Sequence, residues 1–125
     1  MTSLSVGNIV YELLSGDADV MAIAKKVFPV VTDKAELPYV AYRRASLNQV
    51  PVKTGHGADS VVIEVHCYAA TYSESVELAE AVRAVLDHAQ AEKDGLTLRS
   101  CTLADAVELW QDDAYVQALS FTLRV

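Results

Sequence analysis

The chain has 125 residues, 17 acidic and 10 basic side chains for a formal charge of −7, and an apolar share of 52%. That length points to one domain over residues 1–125, with enough apolar material to offset chain entropy by burial, which excludes a disordered tail. The acidic balance argues against grip on nucleic acid by phosphate neutralisation, and no apolar run approaches the roughly 18 residues of a membrane-spanning helix.

Val6, Ile9, Val10, Leu13 and Leu14 recur at helical spacing, with Ser3 or Ser5 placed to cap the start and Gly16 the end. Asp17 offers a cap for a short second turn through Val20, Met21 and Ile23. Val27–Val31 is then expected to be extended, because Pro29 resists helix there. After a polar connection at Thr32–Glu36, a strand is expected over Tyr39–Ser46, started by Pro38 and apolar on both faces. Asn48–Asp59, with Pro51, Gly55, His56 and Gly57, reads as the longest irregular segment of this half.

Ser60–Ala70 alternates, placing Val61, Ile63, Val65, Cys67 and Ala69 on a core face and Val62, Glu64, His66 and Tyr68 on the other. Thr71-Tyr72-Ser73-Glu74 matches a capping box, and the helix it opens is expected to bury Val76, Ala79, Val82, Val85, Leu86 and Ala89. Asp94-Gly95 is a turn. Leu96–Leu103 and Tyr115–Val125 read as strands joined through Ala104–Asp113, where Val107, Leu109 and Trp110 can extend one of them. In the last strand Tyr115, Gln117, Leu119, Phe121, Leu123 and Val125 face one way while Ser120, Thr122 and Arg124 face water. The class implied is α+β, a mainly antiparallel sheet with helices packed on one face and the other face mostly polar.

Chemistry is hard to assemble from these residues. His66 and Cys67 are strand neighbours whose side chains point to opposite faces, so they form no thiolate pair. Cys67 and Cys101 lack C-x-x-C spacing, which leaves them as core residues in a reducing, cytosolic setting, without disulfide or metal. The glutamates at 74, 77 and 80 suit the positive end of a helix dipole, and Gly55-His56-Gly57 is not a phosphate-cradling loop. No catalytic, cofactor-binding or metal residue is expected. The basic pairs Lys25-Lys26 and Arg43-Arg44 read as solvated charge.

The helix ending near Leu14, the phrase Val27-Phe28-Pro29, the strand Leu37-Pro38-Tyr39-Val40-Ala41-Tyr42, the joint Val65–Glu74 and the terminal strand Leu119–Val125 follow one another in a telling order. In that order and spacing the chain resembles the tail-completion, or tail-terminator, proteins of long-tailed bacteriophages. The resemblance implies a non-enzymatic virion assembly protein, made in the host cytoplasm and resident at the head-proximal end of the tail. It implies a homo-oligomeric, commonly hexameric ring that caps the tail tube, binds the head–tail connector and lets DNA pass without sequence-specific binding. Contacts with a neighbouring copy or partner are then expected at Gln49, Lys53, His56 and Asp59, and at Glu64 and His66 on the exposed strand face. The alternatives are another tail or connector component, or a small cytosolic enzyme or ligand-binding domain with a pocket near Cys67 or His66.

Overall fold

A computed structural model describes residues 2–30, 36–49 and 59–125. A single 3₁₀ turn at Ser3–Ser5 leads into α1 (Val6–Ser15), followed by α2 (Ala18–Ile23) and β1 (Lys26–Pro29). Two long strands follow, β2 (Tyr39–Gln49) and β3 (Asp59–Ala69), and then α3 (Tyr72–Leu86). The small hairpin β4 (Ala91–Lys93) and β5 (Leu96–Leu98) precedes the long hairpin β6 (Ser100–Gln111) and β7 (Ala114–Arg124). The main sheet has the order β1-β2-β3-β7-β6, parallel between β1 and β2 and antiparallel elsewhere.

The caps behave as local chemistry dictates, with one shift. Asp17 accepts the Val20 N–H at 3.0 Å and Thr71 accepts the Glu74 N–H at 3.2 Å, satisfying helix donors that have no partner within the helix. At the first helix the cap is neither serine: Thr2 accepts from the Leu4 N–H and opens the 3₁₀ turn, while Ser5 makes no side-chain cap bond.

All three helices share one face of the sheet. Ile9, Val10, Leu14 and Val20 meet Leu78, Val82 and Leu86 over Val40, Ile63, Val65, Cys67, Phe121 and Leu123. The buried stripe of α3 runs through Ser75, Leu78, Ala79, Val82 and Leu86, whereas Val76 and Val85 are only half-buried and Ala89 lies past the helix end. The stripe begins on a polar residue because Ser75 Oγ donates to the Tyr72 carbonyl at 2.7 Å and accepts from Gln117 Nε2 at 3.3 Å, so burial leaves its hydroxyl satisfied.

The opposite face is not simply polar. At one end Tyr39, Ala41, Tyr68, Ala114 and Val116 form a second buried cluster, flanked by Phe28 and Leu37. Tyr39 stacks on Tyr68 with centroids 4.5 Å apart, and Phe28 meets Tyr39 edge-on at 5.8 Å. This cluster exists because β1 and β7 bring their outward residues beside those of β2 and β3.

Candidate interaction surfaces

The expected contact residues fall into separate places. Glu64 and His66 lie half-buried in mid-sheet on the face away from the helices, where Arg43 Nη2 approaches Glu64 Oε2 at 2.7 Å and His66 Nε2 lies 3.5 Å from the same oxygen. Ala41, Arg43, Glu64, His66, Tyr68 and Gln111 border a recess of only about 100 Å³ here. Gln49 and Asp59 are not loop residues: they are the last pair of the β2–β3 ladder. Asp59 is also tied to Val125 by two backbone hydrogen bonds, of 2.9 and 3.1 Å. The irregular segment expected over Asn48–Asp59 is therefore shorter, because both flanking strands continue to pair. Lys53 and His56 lie outside the described residues.

Cys67 and Cys101 are both in the main core. Burial pushes both thiols up, Cys101 to about 12 with the nearby Asp87 carboxylate adding to the effect, so neither supplies a thiolate at neutral pH. Burial likewise raises the hydroxyls of Tyr39 and Tyr68, with the Asp112 carboxylate contributing to both. Among the described residues no three His, Cys, Asp or Glu side chains converge as metal ligands.

A surface that the linear chain did not reveal is the outer half of the β6–β7 hairpin. The segment Ala104–Asp113, expected as a joint, is mostly strand: β6 runs to Gln111 and turns at Asp112-Asp113, both with positive φ, the geometry of a two-residue hairpin turn. Beyond its pairing with Phe121, β6 outruns the helix layer, so Val107 and Leu109 are exposed on one face and Trp110 and Tyr115 on the other. Trp110 packs edge-on against Tyr115 at 4.9 Å, and Tyr115 against Tyr72 of α3 at 6.0 Å.

A polar network fixes this arm to the helix. Tyr72 Oη donates to Glu108, and Gln117 Nε2 donates to the same carboxylate oxygen at 3.0 Å. These two donors hold the Glu108 carboxyl below its ordinary range, the tyrosine first, and the Glu108 bond raises the Tyr72 hydroxyl. With Asp105, Glu108, Asp112 and Asp113 and no basic residue, the arm is acidic. The chain carries little signal for it, since Asp105-Ala106-Val107-Glu108-Leu109-Trp110 does not alternate strictly.

The opposite edge of the sheet is basic. β1 is short, so Lys25 and Lys26 at its start and Arg43 and Arg44 just beyond its end on β2 line one edge. Lys25 pairs with Glu36 at 3.3 Å, Lys26 Nζ sits 5.2 Å over the Phe28 ring, and Arg44 Nη1 donates to the Leu4 carbonyl at 2.8 Å.

Solved structures that share this architecture include two of virion and bacteriophage origin. One, from the virion of a native gene transfer agent particle, is 24% identical with a TM-score of 0.76, covering 93% of this chain and 90% of that one. The other, the gp17 protein of bacteriophage SPP1, is 16% identical with a TM-score of 0.67, covering 97% and 88%. No curated protein matches the chain. The model of the family "Tail completion protein gp17" matches residues 9–125, nearly the whole length, and the chain therefore belongs to that family of tail-completion virion assembly proteins.

Proposed function

We propose that the protein completes the tail as a homo-oligomeric ring, hexameric by its resemblance to tail terminators, that caps the tail tube and offers the surface on which the head–tail connector docks. The observation that carries this reading is the family match over residues 9–125. Two further features support it. The sheet has two unlike edges, one acidic and one basic, which suits head-to-tail association of identical copies. The expected alternative of a ligand site at His66 finds a recess of only about 100 Å³ there, smaller than the roughly 300–1,000 Å³ typical of ligand pockets.

Removing the gene from its particle tests the reading. The expected result is tails that are over-long or that never join heads. Absence of tube altogether would make the protein a tube component, and normal particles lacking a metabolic activity would overturn the assignment in favour of an enzyme.

A further inference from the structure

We propose that the acidic β6–β7 arm of one copy, anchored by Trp110, docks into a groove at the basic β1–β2 edge of the next copy. The inference rests on the ring reading and names the contact that would build it. The groove is an open recess of about 400 Å³ with an apolar floor that includes Leu4, Gly7, Val30 and Tyr42, and with Arg43 and Arg44 at its rim. Leu4 and Val30 are 62% and 59% exposed there, while on the arm Trp110 is 62% exposed. Seven of the nine exposed large apolar side chains among the described residues lie on the arm, with Tyr72 beside it, or on this groove, so the apolar surface left uncovered is concentrated on two patches.

The two patches are complementary in charge. Four acids and no base occupy 104–113, and four of the ten basic side chains stand along the other edge. Across the sheet the ladder aligns Asp105 with Ser120, Glu64 and Arg43, whereas Trp110 pairs with Tyr115 and Ala69, beyond the Tyr39–Tyr68 pair, so the docked copy is slid along the strand direction to bring Trp110 to the groove. Since the arm and the groove are on opposite edges, the contact is heterologous, and repeating it either closes a ring or runs on as a filament. Opposite charge at the rim sets the register and the aromatic anchor supplies the buried centre.

Trp110 is the chain's one tryptophan, which makes the contact directly observable. Trp110→Ala leaves a groove without an arm anchor and gives no tryptophan signal. Lys26→Glu with Arg44→Glu cancels the net positive charge of the edge while keeping the Arg43–Glu64 pair and leaving Trp110 in place. Each protein alone, checked for an unchanged fold by circular dichroism, is expected to self-associate about tenfold or more weakly than wild type in sedimentation, as loss of an interface anchor or of charge complementarity would do. Mixed, the two can form one good contact. Tryptophan emission should then move to shorter wavelength and become shielded from acrylamide. Emission that stays solvent-exposed in the mixture, or wild-type protein that never shields Trp110 at any concentration, would overturn the contact. Variants that assemble like wild type would sink this contact and leave the ring reading standing, since gene removal tests that reading separately.

Discussion

Asp87 ends α3, and its Oδ1 accepts the Leu103 N–H of β6 at 3.0 Å, with Arg83 at 3.6 Å and His88 at 3.7 Å from the other oxygen. That backbone hydrogen bond, reinforced by His88 and Arg83, holds the carboxyl below its ordinary range. A depressed folded-state pKa means that the stabilisation is fully present above the unfolded-state value and disappears as pH falls through the folded-state value. Asp87→Asn, which keeps an acceptor but removes the charge, should lower the melting temperature near neutral pH and make progressively less difference in acid. A deficit that stayed constant down to low pH would show that the charge is not what matters. Val82 is fully buried between α3 and the sheet, so Val82→Asp places a carboxylate where no partner can reach it and should cost above ~3 kcal/mol. Denaturant titration reads this directly, and an unchanged midpoint would contradict the packing. Residue-scale features such as the Asp17 and Thr71 caps were legible because a cap depends on neighbours two or three positions away. Leu78 was missed for the converse reason: Ser75 opens the buried stripe, and its acceptability there depends on Gln117, 42 residues further on.

Elements were legible where their pattern is internal and obscure where a partner defines them. The alternation of β3 reads from the chain alone, and α3 follows from its cap. The three-residue strands β4 and β5 carry almost no period; they are held by their turn, where Asp94 and Gly95 both have positive φ. Nor could the chain reveal that β1 runs parallel beside β2, or that Tyr39, Tyr68 and Val116 bury one another on the far face. The expected loop contracted because β2 and β3 keep pairing to Gln49 and Asp59. What lies between, residues 50–58, remains proposed as a contact with a neighbouring copy. Shortening it should change stability little, since loop-closure entropy varies slowly with length and the Asp59–Val125 bonds hold the strand end independently. Ring formation or complementation of a gene-deleted particle should fail instead. Full assembly after the deletion would remove this segment from the interface.

For the whole molecule, strand order decides what the charges do. Lys25-Lys26 and Arg43-Arg44 look like scattered solvated pairs along the chain, and only the order β1-β2-β3-β7-β6 gathers them on one edge and sets the acidic arm on the other. That is why the class was legible and the candidate surface was not: the class follows from periods, the surface from neighbours far apart in sequence. The two edges carry four charges each of opposite sign, so joining them leaves the formal −7 of each copy on the remaining surface. An assembled ring would then present DNA with a like-charged surface and no basic stripe, and passage through it would be unhindered by phosphate binding. Accordingly, fluorescence anisotropy of a labelled duplex should be unaffected by the protein even at low salt, where phosphate contacts are strongest. The Lys26→Glu/Arg44→Glu protein should behave the same. Binding by wild type that weakens steeply with salt, and disappears in that variant, would instead make the basic edge a phosphate-binding surface.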